Sequence, residues 1–336
     1  MSHAVIPHET APQAALHTCW PAAADLWEDD LAPARAEFAR FLTLTAAAGD
    51  DGHALPLVIY AATAEAEADA RQRMGRLARI VRAPYGDVWA RDTGPVFVKR
   101  QGGLEAARFT FNGWGGKYDL DGDQSIGAAI AAEADAPIVA SGLVCEGGAL
   151  EFDGADTVIT TRQCLLNPNR NPGCTETQVE AELERLFGIR KVIWLDEGLT
   201  GDHTDGHVDN IARFAGPGMV VCQAASGADD PNARLYAKIA AALRASTDAK
   251  GRPLEVIEIP SPGLVKDADG EPAAASHMNW VIGPRHVVMP AYNARVRDAV
   301  RALQRGFNDR TVVASDANHI LTGGGAFHCV TCHQPA

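Results

Sequence analysis

Four short segments place polar or nucleophilic side chains among apolar, glycine-punctuated residues. They are Trp89-Ala-Arg-Asp92-Thr-Gly-Pro, Cys145-Glu146-Gly-Gly-Ala, Asp205-Gly-His207-Val-Asp209-Asn and Gly323-Gly-Gly-Ala-Phe-His-Cys329. These residue types suit covalent chemistry on a cation. A cysteine attacks an electrophilic carbon once it is a thiolate, which needs a base or a positive charge nearby. A histidine moves protons near neutral pH, and paired carboxylates hold a planar, forked cation. His207 and Asp209 stand two apart, and on an extended strand that spacing turns both side chains to one face. The glycines before Cys329 let backbone approach a ligand closely. Cys19, Cys145, Cys164, Cys174 and Cys222 read as small packing residues.

Other motifs carry less. Cys329-Val-Thr-Cys332-His333 matches the C-x-x-C-H pattern of c-type haem attachment and contains a C-x-x-C pair. Haem attachment follows export, and the first ten residues lack the basic and apolar regions of a leader. Packing or a thiol role suits Cys332 better. A zinc site would need ligands beyond Cys329, Cys332 and His333. Asp119-Leu-Asp121-Gly-Asp123 starts like a calcium loop, but Gln124 and Ile130 stand where a glycine and a bidentate glutamate are required. It reads as a solvated acidic turn. No Walker A, GxGxxG, GxSxG or HExxH pattern occurs.

The elements that must position these groups recur along the chain. A helical stretch, a short β-rich strand and a strand–turn–strand region follow one another five times, with a period of roughly 50–70 residues. The helices span about 65–77, 123–134, 175–187, 231–245 and 294–304. Thr175 with Gln178 makes a capping box, and Gly188 follows the last periodic residue of that helix. The last unit shows only half a strand pair, and the N-terminal strand Leu16-His-Thr-Cys-Trp20 can supply the other half. Five units would then close into a ring, removing exposed sheet edges and bringing equivalent turns to one axis. An open α/β sandwich is the alternative. No linker or low-complexity segment divides the 336 residues, so 1–336 is expected to be a single domain.

Composition limits the partners. Lys and Arg number 30 against 43 Asp and Glu, a formal net charge of −13. Such a chain repels phosphate backbones and anionic membranes, and suits a small cationic substrate. No apolar run approaches about 18 residues, so no transmembrane helix is expected. Seven cysteines are expected to be free thiols in the cytoplasm. The chemistry needs no metal and no cofactor, and nothing in the sequence fixes whether copies form a homo-oligomer.

Read together, these segments resemble the agmatine deiminases, the Porphyromonas-type peptidylarginine deiminase family. The resemblance covers nearly the whole chain, including Phe111-Asn-Gly-Trp-Gly-Gly-Lys117, Cys164-Leu-Leu-Asn-Pro-Asn-Arg-Asn-Pro172 and Gly201-Asp-His-Thr-Asp-Gly-His-Val-Asp209. It implies the pentein fold, a five-fold pseudosymmetric α/β propeller with a central active site. It implies Cys329 as nucleophile, His207 as general acid and base, Asp92 and Asp209 on the guanidinium, and Glu146 in support. The implied reaction converts agmatine to N-carbamoylputrescine and ammonia through a covalent thiouronium. Trp89, Trp114 and Lys117 are candidate wall residues. Ala326 and Cys332-His333 depart from the family pattern, beside the nucleophile, and leave room for arginine or peptidyl-arginine as substrate. Free arginine would need a cation for its carboxylate, with Arg91, Arg108, Arg162 and Arg170 as candidates. Amidinotransfer would use the same nucleophile, and a non-catalytic or thiol-redox protein on the same fold is the reading from another class.

Overall fold

The computed structural model describes residues 4–336. Sixteen strands form five small sheets among the described residues. Four sheets share one plan: an antiparallel pair, then a helix, then a third strand parallel to the second. They are β4–β6 (Val96–Arg100, Gly103–Thr110, Ile138–Val144), β7–β9 (Glu151–Phe152, Thr157–Thr161, Lys191–Leu195), β10–β12 (Ala212–Gly216, Met219–Ala224, Glu255–Pro260) and β13–β15 (Val281–Ile282, His286–Ala291, Thr311–Asp316). The connecting helices are Asp123–Glu133, Glu176–Phe187, Ala233–Ala245 and Val296–Leu303.

The fifth sheet joins the two ends of the chain. Its order is β16 (Thr331–Pro335), β1 (Gln13–Cys19), β2 (Leu57–Ala61) and β3 (Ala78–Arg82). β1 and β16 pair antiparallel, with His17 opposite Cys332 and Leu16 opposite His333. The N-terminal strand thus completes the last unit, as its sequence position requires.

Local chemistry explains the elements. Thr175 and Gln178 form the expected capping box, and Gly188 ends that helix at φ 70°, where a side chain would be strained. Along Ala233–Ala245, Leu235, Tyr236, Ile239, Ala240 and Leu243 are buried, one helical stripe against the sheets. β14 is apolar and buried on both faces, as strands flanked by parallel and antiparallel neighbours under helices must be. No helix among the described residues is long and apolar enough to cross a membrane.

A tight turn precedes each antiparallel pair, and the five turns contact one another in sequence. Arg91 N donates to Cys329 O at 3.1 Å. Gly148 N donates to Asp92 Oδ1 at 3.0 Å. His207 Nε2 lies 3.5 Å from Glu146 Oε2. Asn279 Nδ2 lies 3.0 Å from Asn210 Oδ1 and 3.0 Å from Cys329 Sγ. That closes a circle through all five units.

Three local expectations are corrected. His207 and Asp209 are not on a strand, because Val208–Asn210 is a 3-10 turn with His207 at its N-cap. Gly206, at φ 90°, reverses the chain there, and Ile211 N closes the turn on Val208 O at 2.9 Å. Likewise Ala90–Thr93 is a one-turn helix before β4 rather than part of it. The acidic turn is not wholly solvated either. Asp123 is buried, accepting from Gly86 N and Asp87 N at 2.8 and 3.2 Å.

Candidate active site

The circle of turns brings Asp92, Glu146, His207, Asp209 and Cys329 into one buried cluster. Gly148 sits among them. A Cβ there would lie 2.6 Å from His207 Nδ1, 2.8 Å from Asp92 Oδ1 and 3.2 Å from Asp209 Oδ2, so only glycine fits. Gly325 does the same beside the thiol, where a Cβ would lie 2.6 Å from the Trp89 ring and 3.1 Å from Cys329 Cβ.

The charges are strongly coupled. His207 Nδ1 is 3.7 Å from Asp92 Oδ1, and neither ring nitrogen has a hydrogen-bond partner. Burial works against a charged imidazole, but Asp92, Cys164 and Glu146 outweigh it and hold His207 well above the imidazole range. Asp92 is pushed up to about 6 by burial, partly offset by His207. Its Oδ2 accepts from Trp114 Nε1 at 2.9 Å. Burial would raise Glu146 too, but His207 and Arg170 hold it below the usual carboxylate range, with Arg170 Nε at 2.8 Å. Asp209 is likewise held low against burial, chiefly by the His328 ring at 2.8 Å. Its Oδ1 has no partner. Burial, Asp209 and Asp92 push the Cys329 thiol well above its ordinary value, and its Sγ lies 3.7 Å from Asp209 Oδ2. Cys329 is therefore favoured as a neutral thiol, and a cation set between Asp92 and Asp209 would offset the two carboxylates that keep it so.

A pocket opens onto Cys329 and Asp92, with a volume of about 830 Å³ counting its mouth. Trp27, Trp89, Trp114 and Tyr118 line it, with Asp87 and the glycines before the nucleophile. Asp87 accepts from the indoles of Trp27 and Trp89, both at 2.8 Å, and burial pushes it up to about 6. Trp114 has φ 53°, between two glycines also at positive φ. Such a conformation costs a non-glycine residue roughly 1–3 kcal/mol and is typical of residues aimed at a ligand. Lys117 is not a lining residue; its ammonium pairs with Asp205 at 2.6 Å.

Other sequence readings resolve as follows. Cys332 is buried in a different apolar cluster from Cys329, its Sγ 3.3 Å from Pro95 O. Cys145 packs in the core, while Cys164 also contacts Glu146, its Sγ 3.8 Å from Oε2. Sequence reasoning passed over Asn279, Asp87, Trp27, His328 and Glu9, and weighed Arg170 only as a cation for a substrate carboxylate. Asn279 had a signal, because it occupies the turn of the fourth unit that matches the four segments first singled out.

Two groups bring three ligand-type atoms within 4.8 Å: Glu146, Cys164 and His207, and Glu9, His328 and His333. Guanidinium groups already occupy both. Arg170 binds Glu146, while Arg91 and Arg213 bind the two oxygens of Glu9 at 3.1 and 2.6 Å. A metal ion in either would sit against fixed positive charge.

Comparison with known proteins identifies the family and the fold. The family model for Porphyromonas-type peptidyl-arginine deiminase matches residues 5–335. The agmatine deiminase of Stutzerimonas stutzeri is 36% identical, over 98% of this chain and 95% of that protein. The agmatine deiminase of Ectopseudomonas mendocina is 35% identical with the same coverage. The solved agmatine deiminase of Enterococcus faecalis superposes with a TM-score of 0.91 at 27% identity, over 99% of this chain and 96% of that one.

Proposed function

Since the chain belongs to the Porphyromonas-type peptidyl-arginine deiminase family, we propose that it hydrolyses the guanidinium of agmatine to N-carbamoylputrescine and ammonia. The observation that carries the choice of agmatine is the charge of the pocket. Its described lining residues include Asp87 and Asp92 but no Arg or Lys. A substrate with a guanidinium at one end and an ammonium at the other suits such walls, whose indole faces also attract cations. Free arginine would bury a carboxylate there unpaired. The candidate cations are all engaged elsewhere: Arg91 with Glu9, Arg108 with Gln124 O, Arg162 with Glu176 and Asp196, Arg170 with Glu146 and Asp205.

The chemistry follows from the charges. A guanidinium is resonance-stabilised and a poor electrophile, so it must be held and its leaving nitrogen protonated. Asp92 and Asp209 grip it in the plane of its fork. The bound cation cancels the repulsion that keeps Cys329 neutral, and the thiol ionises with substrate in place, its proton passing to water in the pocket that opens onto it. Sulfur attacks the central carbon and forms a tetrahedral adduct. His207, protonated in the empty site, gives its proton to the departing nitrogen, and ammonia leaves a thiouronium. The neutral imidazole then takes a proton from water, hydroxide adds to the carbon, and the C–S bond breaks to release the ureido product as the adduct's hydroxyl proton passes to the departing sulfur. Glu146, fixed by Arg170, keeps the ring oriented and charged. Trp89 and Trp114 form the walls along the alkyl chain. The partner is a small cationic guanidine rather than nucleic acid or membrane. A cytoplasmic setting suits a nucleophile that must remain a thiol.

Ammonia release from purified protein offered agmatine, arginine and an arginine peptide tests the reading. Release from agmatine alone is expected. Faster release from arginine or the peptide would overturn the substrate, and release by Cys329→Ala would overturn the mechanism.

A further inference from the structure

We propose that Glu9, on the N-terminal segment, is a positioning residue for the reaction and acts through His328 to fix the orientation and charge of Asp209. The proposal rests on the functional reading above, in which Asp209 grips the guanidinium.

His328 directly precedes the nucleophile and is fully buried. Its Nδ1 lies 2.8 Å from Asp209 Oδ2 and its Nε2 lies 2.9 Å from Glu9 Oε1. A carboxylate only accepts, so an imidazole between two of them carries a proton on both nitrogens. The ring is then a cation locked against Asp209. It occupies Oδ2 and leaves Oδ1, which has no partner, for a ligand.

Glu9 is itself held from behind. Arg213 Nη2 donates to its Oε2 at 2.6 Å and Arg91 Nη1 to its Oε1 at 3.1 Å. Arg213 is anchored by Glu151 Oε2 at 2.9 Å and by Trp280 O at 2.7 Å, with its guanidinium 5.1 Å over the Trp280 ring. His333 Nδ1 also faces Glu9 Oε1, at 3.3 Å. The carboxylate that ends this chain of bonds therefore has little freedom, and neither does the ring it holds.

The two gripping carboxylates differ in the way this arrangement requires. Both are buried. Asp92, bonded to an indole and a peptide N–H, is pushed up by burial to about 6. Asp209, bonded to the His328 ring, is held below the usual range despite its burial. An ion fixed beside Asp209 before substrate arrives is preorganisation of the grip.

Two independent readouts test the relay. In histidine-15N-labelled protein, His328 should show protons on both ring nitrogens, identified by their loss in His328→Asn. In Glu9→Gln that doubly protonated signal should disappear. With agmatine, Glu9→Gln should lower kcat/KM roughly ten- to hundredfold, mostly through KM. His328→Asn, which keeps a donor for Asp209 but does not reach Glu9, should lose a similar factor. The double variant should be no worse than either single one. Additive losses, or a Glu9→Gln protein with wild-type KM and an unchanged ring signal, would overturn the proposal. If Glu9→Gln does not fold, His328→Asn should lie between wild type and His328→Leu in KM, and equal KM in all three would overturn it. Wild-type protein inert towards agmatine would sink the functional reading, while the ring signals would still decide the relay.

Discussion

Two buried charge clusters lie side by side, and they are built to opposite ends. Around Arg213, every carboxylate oxygen of Glu9 and Glu151 is occupied: Arg213 and Arg91 with His328 on Glu9, Arg213 and Phe214 N on Glu151. Around Cys329, both ring nitrogens of His207 and Oδ1 of Asp209 have no partner. The carboxylates of the first cluster are all bonded without a ligand. The second is not satisfied in this way: Arg170 binds Glu146 and His328 binds Asp209, but the His207 ring and one oxygen of Asp209 stay unbonded beside the desolvated thiol. Satisfied buried charge holds a structure in one arrangement, whereas unsatisfied buried charge reserves free energy for a bound species. The relay through His328 joins the two, so the rigid cluster steadies the reactive one.

The sharpest break between the clusters is in activity. Cys329→Ala should lower turnover by about 10⁴-fold or more with the fold intact, since nothing else can form the covalent bond. Cys332→Ser, three residues after the nucleophile but packed against Pro95, should stay within about twofold of wild type in the same assay. Equal loss in both would favour a paired thiol role.

Stability should show the reverse order. Arg213→Met leaves buried Glu151 without its guanidinium and Glu9 with only Arg91 and His328, and should cost about 3–5 kcal/mol in urea unfolding. Asp92→Asn should do the opposite. The folded carboxyl titrates at about 6 and the unfolded one near 4, so the folded state holds an extra proton between them and this site loses stability as pH rises through that window. The asparagine escapes that loss, and above pH 6 the variant should gain roughly 1–3 kcal/mol while losing at least about 100-fold in turnover.

A smaller effect tests the same carboxylate in solution. Asp92 must be ionised to hold a guanidinium, so kcat/KM should fall as pH drops through about 6. The Trp114 indole favours its charged form. Trp114→Phe should therefore move that acid limb to higher pH, by roughly half a unit to one unit. A limb that stays in place would remove Trp114 from the grip.

Much of this was legible in the sequence because repetition makes positions comparable. The five units, the joining of Leu16–Trp20 to the last of them, and the Thr175 cap each rest on local signals that tertiary contacts reinforced. The turns were less legible. His207-Val-Asp209 alternates like a strand, and it took Gly206 in a left-handed conformation to make it a 3-10 turn. Asn279 was hidden because its unit carries an amide where the others carry charge or sulfur, although the repeat placed it. Glu9 and His328 were illegible for another reason: their meeting spans 319 residues, and only ring closure brings the N-terminal segment behind the nucleophile.

The most direct test of the account is rapid quenching of the enzyme during turnover of agmatine, followed by mass analysis of its peptides. The account predicts a transient adduct on the peptide holding Cys329, heavier by agmatine less ammonia, that decays as the ureido product appears. Turnover with no such adduct, or an adduct on any other residue, would contradict it.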